Sequence, residues 1–127
     1  MRSLQNKAPL IGGTIERSDI IMNDILKKEY SEEFDKLRKN RVEVSFYKYG
    51  AARDNFASGR VDAIGSLELC LDKFKKTGNT EYLLDVANYA MFRYMYPLPG
   101  EFFKPTDSSQ SAGTVGTPIN MEKDIYE

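Results

Sequence analysis

The thirteen residues from Leu83 to Met95 are apolar or aromatic except at Asp85, Asn88 and Arg93. The run holds no Gly or Pro, and Pro97 and Pro99 follow it, so it reads as a helix from about Thr80 to Tyr96 with a firm stop. A helix that is apolar almost all round has to be covered on most of its sides. A chain of 127 residues makes one domain. This helix is therefore the expected centre of a small helical bundle or part of a contact between copies.

The other segments supply the covering helices. Ser18 can cap a helix from about Asp19 to about Lys39, with Ile21, Ile25, Tyr30, Phe34 and Leu37 at helical spacing. The segment from Arg41 to Tyr47 has two readings. Val42, Val44 and Phe46 alternate as in a strand, but no second strand pattern follows to pair with it. A second helix ending near Gly50 is the favoured reading. Gly50 to Gly59 reads as a loop. Val61, Ile64, Leu67, Leu71 and Phe74 mark a helix from about Val61 to Lys76, which Thr77-Gly78-Asn79 ends. Short connections between helices imply antiparallel neighbours.

The fold expected is all-α: a small antiparallel bundle over residues 18–104, with an N-terminal arm, 1–17, and an extended C-terminal tail, 105–127. The arm carries Pro9 and Gly12-Gly13. The tail is rich in Ser, Thr and Gly, and holds four acids against one base. The last helix and the stretch from Tyr94 to Phe103 hold more apolar surface than a thin bundle hides, so at least a homodimer is expected.

Charge and composition exclude several roles. Lys plus Arg is 18 and Asp plus Glu is 19, a balance that argues against a dedicated nucleic-acid binder. No stretch reaches the roughly 18 apolar residues that span a bilayer. The first residues lack the apolar core of a signal peptide, so a cytoplasmic protein is expected. With no His and only Cys70, neither an ordinary zinc site nor a Ser-His or Cys-His unit can form. Metal chemistry would need carboxylate ligands and a hard cation such as Mg²⁺.

Two constellations could carry chemistry. Glu68 and Asp72 are four residues apart on one helix. Glu81 and Asp85 are four apart on the next, and Asn88 follows on the same edge. If both pairs face one cleft, a divalent cation is the natural neutraliser. The alternative is structural: Glu81 suits a helix N-terminus, Lys73, Lys75 and Lys76 lie near Glu68 and Asp72, and Arg41, Lys48 or Arg53 could pair with Asp85. The second constellation is Tyr47-Lys48-Tyr49-Gly50 with Arg53, Asn55 and Phe56. Aromatic rings beside cations can stack a base and meet phosphate, whereas the plainer reading is an aromatic core and a helix C-cap.

The stretch from Tyr47 to Phe92 resembles the all-α nucleoside triphosphate pyrophosphohydrolases, the MazG-like group, and among them the dATP/dGTP diphosphohydrolase branch. The residues that carry the resemblance are Lys48-Tyr49-Gly50, Asn55-Phe56, Gly59, Asp62-Ala63, Leu67, Leu71, Gly78 and Leu84-Asp85-Val86-Ala87-Asn88. Glu81 to Asp85 is similar to that group's second metal motif, with one residue more between the acids. Glu68 and Asp72 stand where its first motif has a cluster of Glu, and the branch's His residues are absent. The resemblance implies Mg²⁺-dependent cleavage of a nucleoside triphosphate to monophosphate and pyrophosphate. Asp85 and Glu81 would be catalytic, and Glu68, Asp72, Glu81 and Asp85 would hold the metal. Lys48 and Arg53 would meet the phosphates, and Tyr49, Asn55 and Asn88 would line the nucleotide site, with Tyr49 or Tyr89 at the base. The helix from Thr80 to Pro97 with Thr106-Asp107-Ser108 also resembles a family of small phage proteins of unassigned role, and the departures from the pyrophosphohydrolase pattern leave as alternatives a scaffold that binds or sequesters nucleotides without cleaving them, or a structural helical oligomer.

Overall fold

The computed structural model describes residues 13–119, with side-chain surroundings from Ile21 onward. Pro9 and Gly12 of the expected arm, and Glu122, Lys123, Asp124 and Glu127 of the tail, lie outside the described residues. The protein is mainly helical, and no strand occurs among the described residues. Among the described residues four α-helices follow in order: α1 (Gly13–Glu29), α2 (Glu32–Tyr49), α3 (Ala63–Thr77) and α4 (Glu81–Met95). A π-helical turn, Arg53–Ala57, lies between α2 and α3, and a 3₁₀ turn, Ser108–Gln110, follows α4.

The ends of the helices show why they form where they do. Ser31 is extended, and its side chain accepts a hydrogen bond from the Phe34 N–H at 2.9 Å. It caps α2, and Glu32, Glu33 and Asp35 fill the first turn, where acids favour the helix dipole. The single helix expected over 19–39 is therefore two, broken at Tyr30-Ser31. α1 starts at Gly13, which places Ser18 inside the helix rather than at its cap. α2 runs through Val42 to Tyr47, so the alternation there marks helix and not strand.

Asp62 caps α3 by accepting from the Gly65 N–H at 3.1 Å. Residue 65 has to be small: a Cβ there would lie 2.6 Å from Asp62 Oδ2. α3 closes on Gly78, whose φ of +75° is left-handed and whose N–H reaches the Phe74 carbonyl at 2.7 Å. Asn79 Oδ1 then receives the Glu81 N–H at 3.0 Å and starts α4.

α4 packs against both α3 and α2. Its covered stripe is Leu84, Asn88 and Phe92, four residues apart. Phe56 from the π-helical turn stacks on Phe92 with ring centroids 4.7 Å apart. Among the described residues only Ala63, Leu84 and Phe92 are buried apolar side chains. Most of the other α4 side chains are half-buried, and Tyr94 and Met95 remain exposed. Beyond α4, Glu101 folds back to accept two hydrogen bonds from Arg93, both 2.7 Å, and one from the Leu98 N–H at 2.9 Å.

Candidate functional site

The polar edge of α4 faces α2. Arg41, midway along α2, donates from Nε to Asp85 Oδ1 at 2.7 Å and from Nη2 to Asp85 Oδ2 at 2.9 Å. Its Nη1 donates to Glu81 Oε2 at 2.8 Å. A planar guanidinium matches a carboxylate in this two-pronged way, which a lysine cannot do. Hydrogen bonding to Asp85 raises the Arg41 pKa above its already high ordinary value. One turn further along α4, Asn88 Nδ2 donates to the Arg38 carbonyl at 3.0 Å. Asn88 is 5% exposed, and its Oδ1 has no hydrogen-bond partner.

This arrangement decides where the four acids expected at a metal site go. Asp85 and Glu81 are joined by Arg41, and Asp72 pairs with Lys76 at 2.9 Å across one turn of α3. Glu68 does not complete a ligand set: among the described residues, no three Asp, Glu, His or Cys side chains group so as to hold a metal ion. The physical reason is local. Arg41 lies opposite the edge that carries both α4 acids, so both already pair with a cation of the protein itself, which offsets one of their two charges.

Beside this pairing a cavity of about 350 Å³ opens between α2, the π-helical turn and α4. Val42, Ser45, Phe46 and Tyr49 line it from α2. Asp85, Asn88, Tyr89 and Phe92 line it from α4. Both sets repeat the spacing three, one, three, which puts four side chains on one helical stripe. Asn55 and Phe56 close the third side. The cavity lies within the usual size range of small-molecule sites and shares their pattern of aromatic walls with a few polar groups. Burial raises the pKa of the Tyr89 hydroxyl, with smaller contributions from Cys70 and Asp85. Burial likewise pushes the Cys70 thiol up, and Asp85 adds to the effect.

Of the residues expected to bind a nucleotide, Tyr49, Asn55 and Asn88 line this cavity, together with Asp85. Asn55 also donates to the Tyr49 carbonyl at 3.0 Å, which fastens the end of α2. Lys48 and Arg53 do not line it; in the chain they bracket the lining residues Tyr49, Gly50 and Ala52. Sequence reading left Val42, Ser45 and Phe46 out of the site. Their spacing matches that of Asp85, Asn88 and Tyr89, and that shared register is the signal that would have found them.

The chain matches no protein-family model, no curated protein and no solved structure. Among the described residues no helix is long and apolar enough to cross a membrane.

Proposed function

We propose that this protein binds a nucleotide or deoxynucleotide in the cavity between α2 and α4, and holds it rather than cleaves it. The observation that carries this reading is the placement of Asp85 and Asn88 on the wall of a cavity that five aromatic side chains, Phe46, Tyr49, Phe56, Tyr89 and Phe92, also line. Carboxylate and amide oxygens accept hydrogen bonds, and a nucleobase supplies N–H donors on the edge of a flat, stackable ring. Tyr49, Phe46 and Tyr89 offer faces for that ring. The phosphates would point outward, toward Lys48 and Arg53.

Cleavage would require Mg²⁺ to take Asp85 and Glu81 from Arg41. The two-pronged pairing at 2.7 and 2.9 Å opposes that exchange. Calorimetric titration with nucleoside mono- and triphosphates, with Mg²⁺ and with EDTA, tests the reading. Saturable binding that survives EDTA and weakens about tenfold in Tyr49→Ala is expected. No heat with any nucleotide would remove the proposal. Mg²⁺-dependent release of pyrophosphate, abolished in Asp85→Asn, would replace it with the pyrophosphohydrolase that the resemblance implies.

A further inference from the structure

Exposed apolar side chains line one side of α1 and one flank of α2. Ile21, Met22, Ile25 and Leu26 share one side of α1, and each is between 46% and 55% exposed. Tyr30 continues the strip across the break. Phe34, Leu37 and Val44 extend it along a flank of α2 beside the face that meets α4. Among the described residues α1 makes no substantial packing with α2, α3 or α4. A 17-residue helix of mixed composition gains little stability from propensity alone. Its apolar side needs a partner surface.

We infer that the partner is a second copy of this chain, packed strip against strip about a twofold axis near Tyr30. Area and charge both favour it. Eight large side chains, each roughly half exposed at about 200 Å² apiece, offer about 800 Å² per copy, which matches one side of a standard stable interface. The last turn of α1 carries Lys27 and Lys28, and the first turn of α2 carries Glu32 and Glu33. Lys28 flanks the Ile21 and Ile25 side of α1 and Glu33 flanks the Leu37 and Val44 side of α2, so a twofold axis near Tyr30 sets each copy's Lys28 against the other copy's Glu33, the self-complementarity that such a contact requires. The net charge of −1 leaves little repulsion to overcome.

Sedimentation of the full chain over a wide concentration range tests the inference. The expected mass is about twice the 14.5 kDa of one chain. Ile25→Glu should sediment as a single chain while keeping its helical circular dichroism, and Phe102→Glu, at an exposed side chain beyond α4, should leave the dimer intact. A second experiment does not depend on the folding of Ile25→Glu. One chain carries Lys27→Glu and Lys28→Glu, and the other carries Glu32→Lys and Glu33→Lys. Each alone should dimerise at least about tenfold more weakly than the wild type, and the mixture should recover the dimer. A single-chain mass at every concentration would overturn the inference and leave the strip to a different protein. So would dimers that persist in Ile25→Glu, or charge-swapped chains that show no preference for each other.

Discussion

Arg41→Met keeps the aliphatic stem and removes only the guanidinium, so it isolates what the ionic contact contributes. Asp85 then loses hydrogen bonds of 2.7 and 2.9 Å, and Glu81 loses one of 2.8 Å. A fully buried charge-assisted bond contributes about 1.5–3 kcal/mol, whereas an exposed ion pair contributes about 0–1 kcal/mol. The Arg41 side chain is 38% exposed and that of Asp85 26%, which places this pair between those limits. Glu81, at 59%, belongs with the exposed pairs. Arg41→Met should therefore cost about 1.5–2 kcal/mol, Asp85→Asn about 1 kcal/mol and Glu81→Gln a few tenths. Double-mutant cycles read from urea unfolding should give a coupling of about 1 kcal/mol for Arg41 with Asp85, and roughly a third of that for Arg41 with Glu81. High salt should erode the second coupling more than the first. Equal couplings would show that Asp85 is not specially held. A rise in the wild-type midpoint with excess Mg²⁺, lost in Asp85→Asn, would show that the metal displaces Arg41 and would refute the reasoning about the acids.

Three further outcomes follow from the same structure. Phe92→Ala removes a buried ring stacked on Phe56 and should cost about 3–4 kcal/mol in urea unfolding, more than any surface change tested beside it. Gly78→Ala puts a Cβ on a residue at φ +75° and should lower stability by about 1 kcal/mol, seen as a drop in Tm with no change in helical spectrum. The Glu101 carboxyl is lowered from 4.5 to about 2, first by hydrogen bonds from Arg93 and then by the Leu98 N–H. Because the folded value is depressed, the stabilisation is complete above pH 4.5 and disappears as the pH falls through about 2. The side-chain carboxyl carbon should titrate in that low range by NMR, and should return to near 4.5 in Arg93→Gln.

Helix type was more legible in the sequence than helix ends. At Val42 to Tyr47 local alternation suggested a strand, the absence of any partner strand favoured a helix because backbone groups need partners, and the structure shows helix. The break at Tyr30-Ser31 was hidden because Tyr30 and Phe34 keep helical spacing across it. Ser31 followed by Glu32, Glu33 and Asp35 was the cue. Gly50 and Gly59 concealed the π-helical turn between them, since both glycines suggested loop and the turn depends on Phe56 reaching Phe92. At the site, Asp85 and Asn88 stood out because they interrupt an apolar helix. Arg41 was one of three cations that could answer Asp85, and choosing among them needed the crossing of α2 and α4. Lys48 is in the last turn of α2, off the stripe of Val42, Ser45, Phe46 and Tyr49 that lines the cavity, whereas the position of Arg53 depends on how the chain leaves α2, which sequence spacing does not encode.

The polar edge of α4 has one consistent role that can be argued from its partners. Glu81 and Asp85 hold the Arg41 side chain, and Asn88 holds the Arg38 backbone, so all three fasten α4 to α2. That fastening also sets the electrostatics of the adjoining cavity. One guanidinium against two carboxylates leaves a single negative charge beside the wall that Asp85 lines. A phosphate brought there would meet repulsion, whereas the N–H edge of a base would be attracted. In the proposed complex the base therefore lies against Asp85 and Asn88, and the phosphates lie toward Lys48 and Arg53. A nucleoside without phosphate should accordingly compete for the site, and inorganic phosphate should not. The reverse order of competition would mean that the phosphates, and not the base, are what this cavity holds.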